Sequence, residues 1–215
     1  MLNIRDVSVN IGTIKILRNI SLRVPPGQMA GLIGRNGAGK TTLLRTTMGL
    51  LPMKSGSIQI DGGDIAQKPA YMHARLGVGY MPEDRRLVPN LTVRQNILLP
   101  AWAAGEPISQ NRLEWIYKIM PEVKEREQQR ANQLSGGQQK MVALARSMMI
   151  GKEILLLDEP FEGLAPAMAR RLGEVIFALK ERGLSVLIAD SNEQHIVDFI
   201  DCTYRIERGV VEQVQ

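Results

Sequence analysis

The sequence predicts an α/β protein with a mainly parallel sheet, preceded by an antiparallel β part and interrupted by an inserted helical part. Three observations predict it: alternating apolar and polar residues near the N-terminus, short unbroken apolar runs further on, and a helical repeat midway. The alternation occupies Leu2 to Val9 and again Ile20 to Val24, as half-exposed antiparallel strands require, and Pro25-Pro26-Gly27 closes the section as a turn. The unbroken runs are Met29 to Ile33, Ile154 to Leu157 and Val186 to Ala189, the pattern of strands buried on both faces of a parallel sheet. Met168, Leu172, Val175, Ile176 and Leu179 keep to one helical face after the second run, and Val197 and Ile200 suggest a helix after the third. Between about residues 84 and 149 helical signals take over, with Leu113, Ile116, Tyr117 and Met120 at i, i+3, i+4 and i+7 and Pro121 as the stop. The expected division of the single domain is residues 1–28 antiparallel, 29–83 and 150–215 parallel core, and 84–149 helical.

A chain of 215 residues with 44% hydrophobic side chains can bury a sizeable core. It has no apolar run of about 18 residues or more, and MLNIRDVSVN lacks a basic start followed by an apolar stretch. Neither a membrane span nor a signal peptide is expected, and a cytoplasmic location is. Cys202 stands alone, which excludes an internal disulfide and a cysteine metal cluster. A net charge of +5 would admit nucleic acid, but Lys and Arg are scattered and the longest cationic runs are pairs such as Arg85-Arg86. With 4% aromatic residues there is also no platform for stacking bases, so nucleic acid is not an expected partner.

Three motifs carry chemistry. Gly34-Arg35-Asn36-Gly37-Ala38-Gly39-Lys40-Thr41 follows a predicted strand and leads into a helical stretch beginning at Thr42. This is the context of a phosphate-binding loop: glycines let backbone N–H groups turn inward around a phosphate, and the helix N-terminus adds its dipole. Lys40 then reaches the β- and γ-phosphates of a nucleotide and the Thr41 hydroxyl ligates Mg²⁺. The second motif, Ile154 to Pro160, delivers Asp158 at the C-terminal end of a buried strand, where it can hold Mg²⁺ through water. It also places Glu159 beside the γ-phosphate as the group that polarises attacking water. Together these two define a P-loop NTPase core. The third motif is Leu134-Ser135-Gly136-Gly137-Gln138, a Ser N-cap with Gln three residues on, opening a helix with Met141, Leu144, Ala145, Met148 and Met149 on one face. An ordinary helix start does not explain two consecutive glycines in the first turn, each costing about 1 kcal/mol against Ala. Bare amides at a helix N-terminus are what a second anion site needs.

The phosphate loop, LSGGQ and LLLDEP, in this order and spacing, resemble the ATP-binding cassette ATPases over essentially the whole chain. The resemblance implies that two cassettes, identical or paralogous, pack head to tail. ATP then lies between the phosphate loop of one and Ser135, Gly136, Gly137 and Gln138 of the other, and hydrolysis drives transmembrane permease subunits. Tyr80 to Arg86, then Asn90-Leu91-Thr92-Val93, and Gly163-Leu164-Ala165-Pro166 resemble the branch serving bacterial uptake of branched-chain amino acids, amides and urea. That branch implies an importer supplied indirectly by a periplasmic solute-binding protein, with the cassette on the inner face of the plasma membrane. Leu87 to Trp102 would then contact the permease, although a core role suits the aliphatic part of Ile97 to Trp102 equally well.

The chain departs from the family pattern at three positions. Glu83 stands where most cassettes carry a Gln that senses Mg²⁺, and a carboxylate there can serve as a ligand. An aromatic that stacks on adenine would fall near Asn10-Ile11, where Ile11 offers only apolar contact. The switch histidine would lie two residues beyond Ala189, which is Ser191; His195 is four residues further and is expected to be a solvated or packing residue. Ser191 can hydrogen-bond the γ-phosphate but cannot offer imidazolium charge to the transition state, so a slow ATPase dependent on Glu159 is expected. Two other readings remain open from sequence: a soluble cassette of translation or DNA repair, and a non-hydrolysing nucleotide-binding partner.

Overall fold

The structure is a computed structural model, and it describes residues 1–214. Strands β1 (Leu2–Ile11) and β2 (Ile14–Val24) form an antiparallel hairpin whose register runs from Leu2 opposite Val24 to Ile11 opposite Ile14. Inward-facing Ile4, Val7, Val9, Ile20, Leu22 and Val24 are buried, as the alternation predicts. The hairpin does not stand alone. β4 (Ser55–Ile60) pairs with the free edge of β1, and β5 (Gly63–Asp64) pairs with β4, giving the order β2-β1-β4-β5. The antiparallel sheet thus recruits chain from beyond residue 28.

The second sheet has the order β10-β9-β3-β8-β7-β6, built from β3 (Met29–Ile33), β6 (Val78–Met81), β7 (Ile154–Asp158), β8 (Ser185–Asp190), β9 (Cys202–Glu207) and β10 (Val210–Gln213). All neighbours are parallel except the β9–β10 pair. Every residue of β3, β7 and β8 is buried, which is why these strands read as unbroken apolar runs. Ile33 lies opposite Asp190, and Asp158 opposite Ala189, so the C-terminal ends of the three strands sit side by side and their loops open on one edge. Open α/β sheets bind ligands at that edge.

The two faces of the sheet carry different cover. Ala30, Leu32, Leu156, Leu187 and Ala189 pack with Leu43 and Leu44 of α1 (Lys40–Thr47) and with the antiparallel sheet. Met29, Leu155, Leu157, Val186 and Ile188 pack with α7 (Pro166–Glu181) and the helical part. After α2 (Ala70–Arg75), that helical part comprises α3 (Val93–Ala104), α4 (Gln110–Ile119), α5 (Pro121–Lys124) and α6 (Gly136–Ile150). Pro121 ends α4 by opening α5, with Met120 between them. α6 lies directly on β6, and a Cβ on Gly79 would collide with the Ser147 carbonyl. On α3, Ile97, Leu98 and Ala101 are buried while Trp102 is 46% exposed, so the docking and core expectations for this string divide by helix face.

Among the described residues, no α-helix follows β8. A 3₁₀ turn at Glu193–His195 takes its place, and Val197 is exposed rather than packed. The cause is local: Asp190 accepts the Asn192 N–H at 2.9 Å, and Asn192 accepts the Gln194 N–H at 3.0 Å, so side chains take the first amides a helix would use. Among the described residues, no helix is long and apolar enough to cross a membrane.

Candidate nucleotide site

The loop after β3 leaves the sheet with Gly34 N–H on the Asp190 carbonyl at 3.3 Å and turns back through Ala38 N–H on the Arg35 carbonyl at 3.0 Å. Gly39 caps α1 with φ 117° and no side-chain hydrogen bond, so the first-turn amides of α1 are left for a ligand. Only glycine suits this position: besides the φ, a Cβ there would lie 2.8 Å from Leu17 Cδ2. Lys40 is 5% exposed; its ammonium donates to the Gly34 and Arg35 carbonyls and pairs with Glu159 Oε1 at 2.9 Å. Thr41 Oγ1 donates to Asp158 Oδ1 at 3.0 Å. Two motifs more than a hundred residues apart in sequence are therefore in contact.

Asp158, at the end of β7, is fully buried, and its second oxygen accepts the Tyr80 hydroxyl from β6 at 3.0 Å. Burial pushes the Asp158 carboxyl above its ordinary range, against the lowering effect of the two hydroxyls. Burial and the neighbouring Asp158 likewise push the Tyr80 phenol up. Glu159 adopts φ 47°, a left-handed conformation that costs a non-glycine residue about 1–3 kcal/mol unless its surroundings hold it. They do so at both ends. Its N–H donates to the Ala189 carbonyl at 2.8 Å and its own carbonyl accepts Lys140 Nζ at 2.7 Å. Oε2 accepts the Ser191 N–H at 3.0 Å and the Ser191 hydroxyl at 3.3 Å.

A cleft of about 440 Å³ joins these groups, lined by Ile16, Asn36, Gly37, Gly39, Lys40, Thr41, Thr42, Glu83, Glu159 and Glu162. Partial burial, then the charges of Glu162, Asp158 and Glu159, hold the Glu83 carboxyl above its usual range. No three His, Cys, Asp or Glu side chains among the described residues form a closed metal cage. Mg²⁺ does not need one: it takes one or two carboxylates, a hydroxyl, waters and substrate phosphates. Thr41 and Asp158 present touching oxygens, and Glu83 shares the cleft, which is an oxygen donor set suited to that ion.

A second cavity of about 520 Å³ continues behind the loop, lined by Gly34 to Ala38, Ser191 and Arg205 to Arg208. Gly34, Arg35, Asn36, Gly37, Ala38 and Ser191 thus line one cavity together. Ile11 is not. It is 50% exposed at the hairpin tip and lines neither cavity, whereas Ile16 lines the cleft. The reason is that the returning strand β2 passes over the phosphate loop, with Leu17 against Gly39.

Ser135, Gly136 and Gly137 also line neither cavity. The capping box is present, with Gln138 N–H on Ser135 Oγ at 3.3 Å and Ser135 N–H on Gln138 Oε1 at 2.9 Å, and Ser135 and Gly136 are exposed. Gln138 faces a separate small cavity with Met141 and Met168. His195 packs its ring 5.6 Å from that of Phe161 and places Nδ1 3.1 Å from Asp190 Oδ1, away from the cleft. The sequence reading missed Ile16, Glu162, Tyr80 and Lys140 as site residues. Of these, only Tyr80 lay within a quoted motif.

A parallel α/β core with a glycine-built phosphate loop touching a buried acidic strand end defines a nucleotide-hydrolysing protein of the P-loop class. The family model described as ABC transporter matches residues 17–162, and the chain belongs to that family as an ABC ATPase. It is 35% identical over 209 residues to the high-affinity branched-chain amino acid transport ATP-binding protein BraG of Pseudomonas aeruginosa, covering 97% of this chain and 90% of the relative. It is 33% identical over 199 residues to the lipopolysaccharide export system ATP-binding protein LptB of Haemophilus influenzae, covering 92% and 83%. The crystal structure of a nucleotide-free ATP-binding cassette from an ABC transporter superposes with a TM-score of 0.88 at 25% identity, covering 100% of this chain and 91% of the other.

Proposed function

We propose that the chain is the ATP-hydrolysing subunit of a bacterial importer for small polar solutes such as branched-chain amino acids, working as a head-to-tail pair of cassettes. The observation that carries the pairing is the position of Ser135-Gly136-Gly137: a glycine-built helix start, exposed at Ser135 and Gly136, that lines no cavity of its own phosphate loop. The capping box engages the amides of Ser135 and Gln138 and leaves those of Gly136 and Gly137, which we take to complete the nucleotide site of another subunit, identical or paralogous.

In this reading the loop Gly34 to Gly39 grips the phosphates with its amides at Asn36, Gly37 and Gly39 and with the Lys40 ammonium, Thr42 extends that contact along α1, and Ile16 lies toward the base. Thr41, Asp158 and Glu83 hold Mg²⁺, which when bound offsets the negative charge of the phosphates. Glu159 orients the attacking water and takes its proton. Ser191 fixes Oε2, and Lys40 holds the buried Oε1 of the same carboxylate at the wall of the cleft. Ser191 brings no cationic charge to the γ-phosphate, so turnover is slow compared with a site bearing imidazolium.

Permease subunits dock over α2 and α3. Trp102 is exposed there together with Tyr71, which is 60% exposed, and Arg75 ties the two helices by covering the Tyr71 ring at 5.4 Å and donating to the Ala104 carbonyl at 2.9 Å. The cassette then sits at the inner face of the plasma membrane and depends on a periplasmic solute-binding protein without touching it. Similarity to BraG over nearly the whole chain favours amino acid import; similarity to LptB favours an export role as the second reading. Vesicles carrying the chain with its permease decide between them. Labelled leucine should enter in an ATP-dependent manner and stop entering with Glu159→Gln, whereas leucine-independent ATP turnover with no uptake overturns the import reading.

A further inference from the structure

The left-handed backbone at Glu159 needs something to hold it, and the group that does so comes from a distant helix. Lys140 lies on α6, five residues beyond the Ser135 cap, and is 5% exposed. A buried ammonium is costly unless it is paired and hydrogen-bonded. Nζ donates to the backbone carbonyl of Glu159 at 2.7 Å, within the field of Glu159, Glu162 and Asp190. The same helix holds a second strained segment in the same way. Arg85 and Arg86 have φ of 62° and 47°, and Arg146 of α6 donates to both of their carbonyls, at 2.6 Å for Arg86. Both left-handed segments, one carrying Glu159 and one following Glu83, are thus tied by cationic side chains to the helix that begins with the LSGGQ motif, called the signature helix below. A lysine needed only to fill space against its neighbours would gain nothing from this single-carbonyl aim, and an uncharged long side chain would avoid the burial cost.

We infer that Lys140 is a positioning residue for Glu159: its ammonium holds the glutamate backbone in the left-handed conformation that aims the carboxylate into the cleft, and so ties the base to the signature helix. The inference rests on Glu159 acting as the base, and its test separates the two. Steady-state ATP hydrolysis and ATP affinity are measured on the full chain for Lys140→Met, Lys140→Arg, Glu159→Gln and the Lys140→Met/Glu159→Gln double variant, with melting curves to confirm folding. Lys140→Met should lower kcat by about 10- to 100-fold, the scale of a misplaced catalytic group, while ATP affinity changes by less than about twofold. Lys140→Arg, which keeps a cationic donor, should recover most of the rate. In the Glu159→Gln background Lys140→Met should cost nothing further, because a residue acting only through Glu159 has nothing left to position. Lys140→Gln repeats the comparison if methionine lowers the melting temperature too far. Unchanged kcat in Lys140→Met, loss of ATP affinity in parallel with kcat, failure of Lys140→Arg to recover, or an added loss in the double variant each overturns the inference while leaving Glu159 as the base. A Glu159→Gln chain as fast as the parent overturns both.

Discussion

The loops after β3 and after β7 leave neighbouring regions of one sheet edge and meet in one cleft, yet they obtain their unusual backbone by opposite means. The β3 loop uses glycine, with Gly37 at φ 80° and Gly39 at φ 117°, where a positive φ carries little steric cost. The β7 loop forces the same region of conformational space on Glu159 at φ 47°, where the proposed mechanism calls for a carboxylate as well as the turn. The first loop reaches its turn through its own glycines, with tertiary bonds from Gly34 N–H to the Asp190 carbonyl and from Gly209 N–H to the Ala38 carbonyl added to it. The second holds only because Ala189, Lys140, Ser191 and Lys40 grip it from four directions. The turn of the phosphate loop can be written locally, whereas the conformation of Glu159, the proposed base, depends on tertiary contacts.

That contrast can be broken most severely at its catalytic end. Glu159→Gln keeps the size but removes the proposed base, and should reduce kcat by about 10²- to 10⁴-fold with ATP retained, read by phosphate release and bound radiolabel. On the other loop, Gly39→Ala places a Cβ against Leu17 at a φ that suits only glycine. It should cost about 1–3 kcal/mol of stability in denaturant melts and weaken ATP binding along with it. Thr41→Val removes the hydroxyl linking the two loops, leaving a buried Asp158 oxygen without that donor. A loss of about 1–3 kcal/mol is expected in the same melts, together with a higher Mg²⁺ requirement for hydrolysis. Ser191→Ala deletes one of two bonds to Glu159 Oε2 and leaves the backbone donor, so kcat should fall by less than about tenfold. His195→Ala, outside the cleft, should leave kcat within about twofold; a larger fall would return that histidine to the mechanism.

The same contrast explains what could be read in advance. Glycines at fixed offsets, apolar runs buried on both faces and the Ser135–Gln138 capping box are local signals, and all three appear as read. β4 was not marked because Ser55-Gly56-Ser57 carries no apolar alternation; pairing with β1 makes it a strand. The helix after β8 fails for a reason visible only once Asp190 and Asn192 are seen competing for its amides. Ile11 and Ile16 are indistinguishable by type, and only the course of β2 over the loop selects Ile16. Lys140 reads as one more polar residue of an amphipathic helix, since nothing near it in sequence announces a buried carbonyl from residue 159.

In the proposed pairing, one chain holds only half of each nucleotide site. The most direct measurement is the solution mass of Glu159→Gln by equilibrium sedimentation, with and without Mg-ATP, while bound radiolabel reports nucleotide occupancy. A monomer without nucleotide and a dimer carrying two ATP with it is the expected result. A chain that binds ATP fully and stays monomeric would contradict the claim that two copies of this protein complete each other's sites.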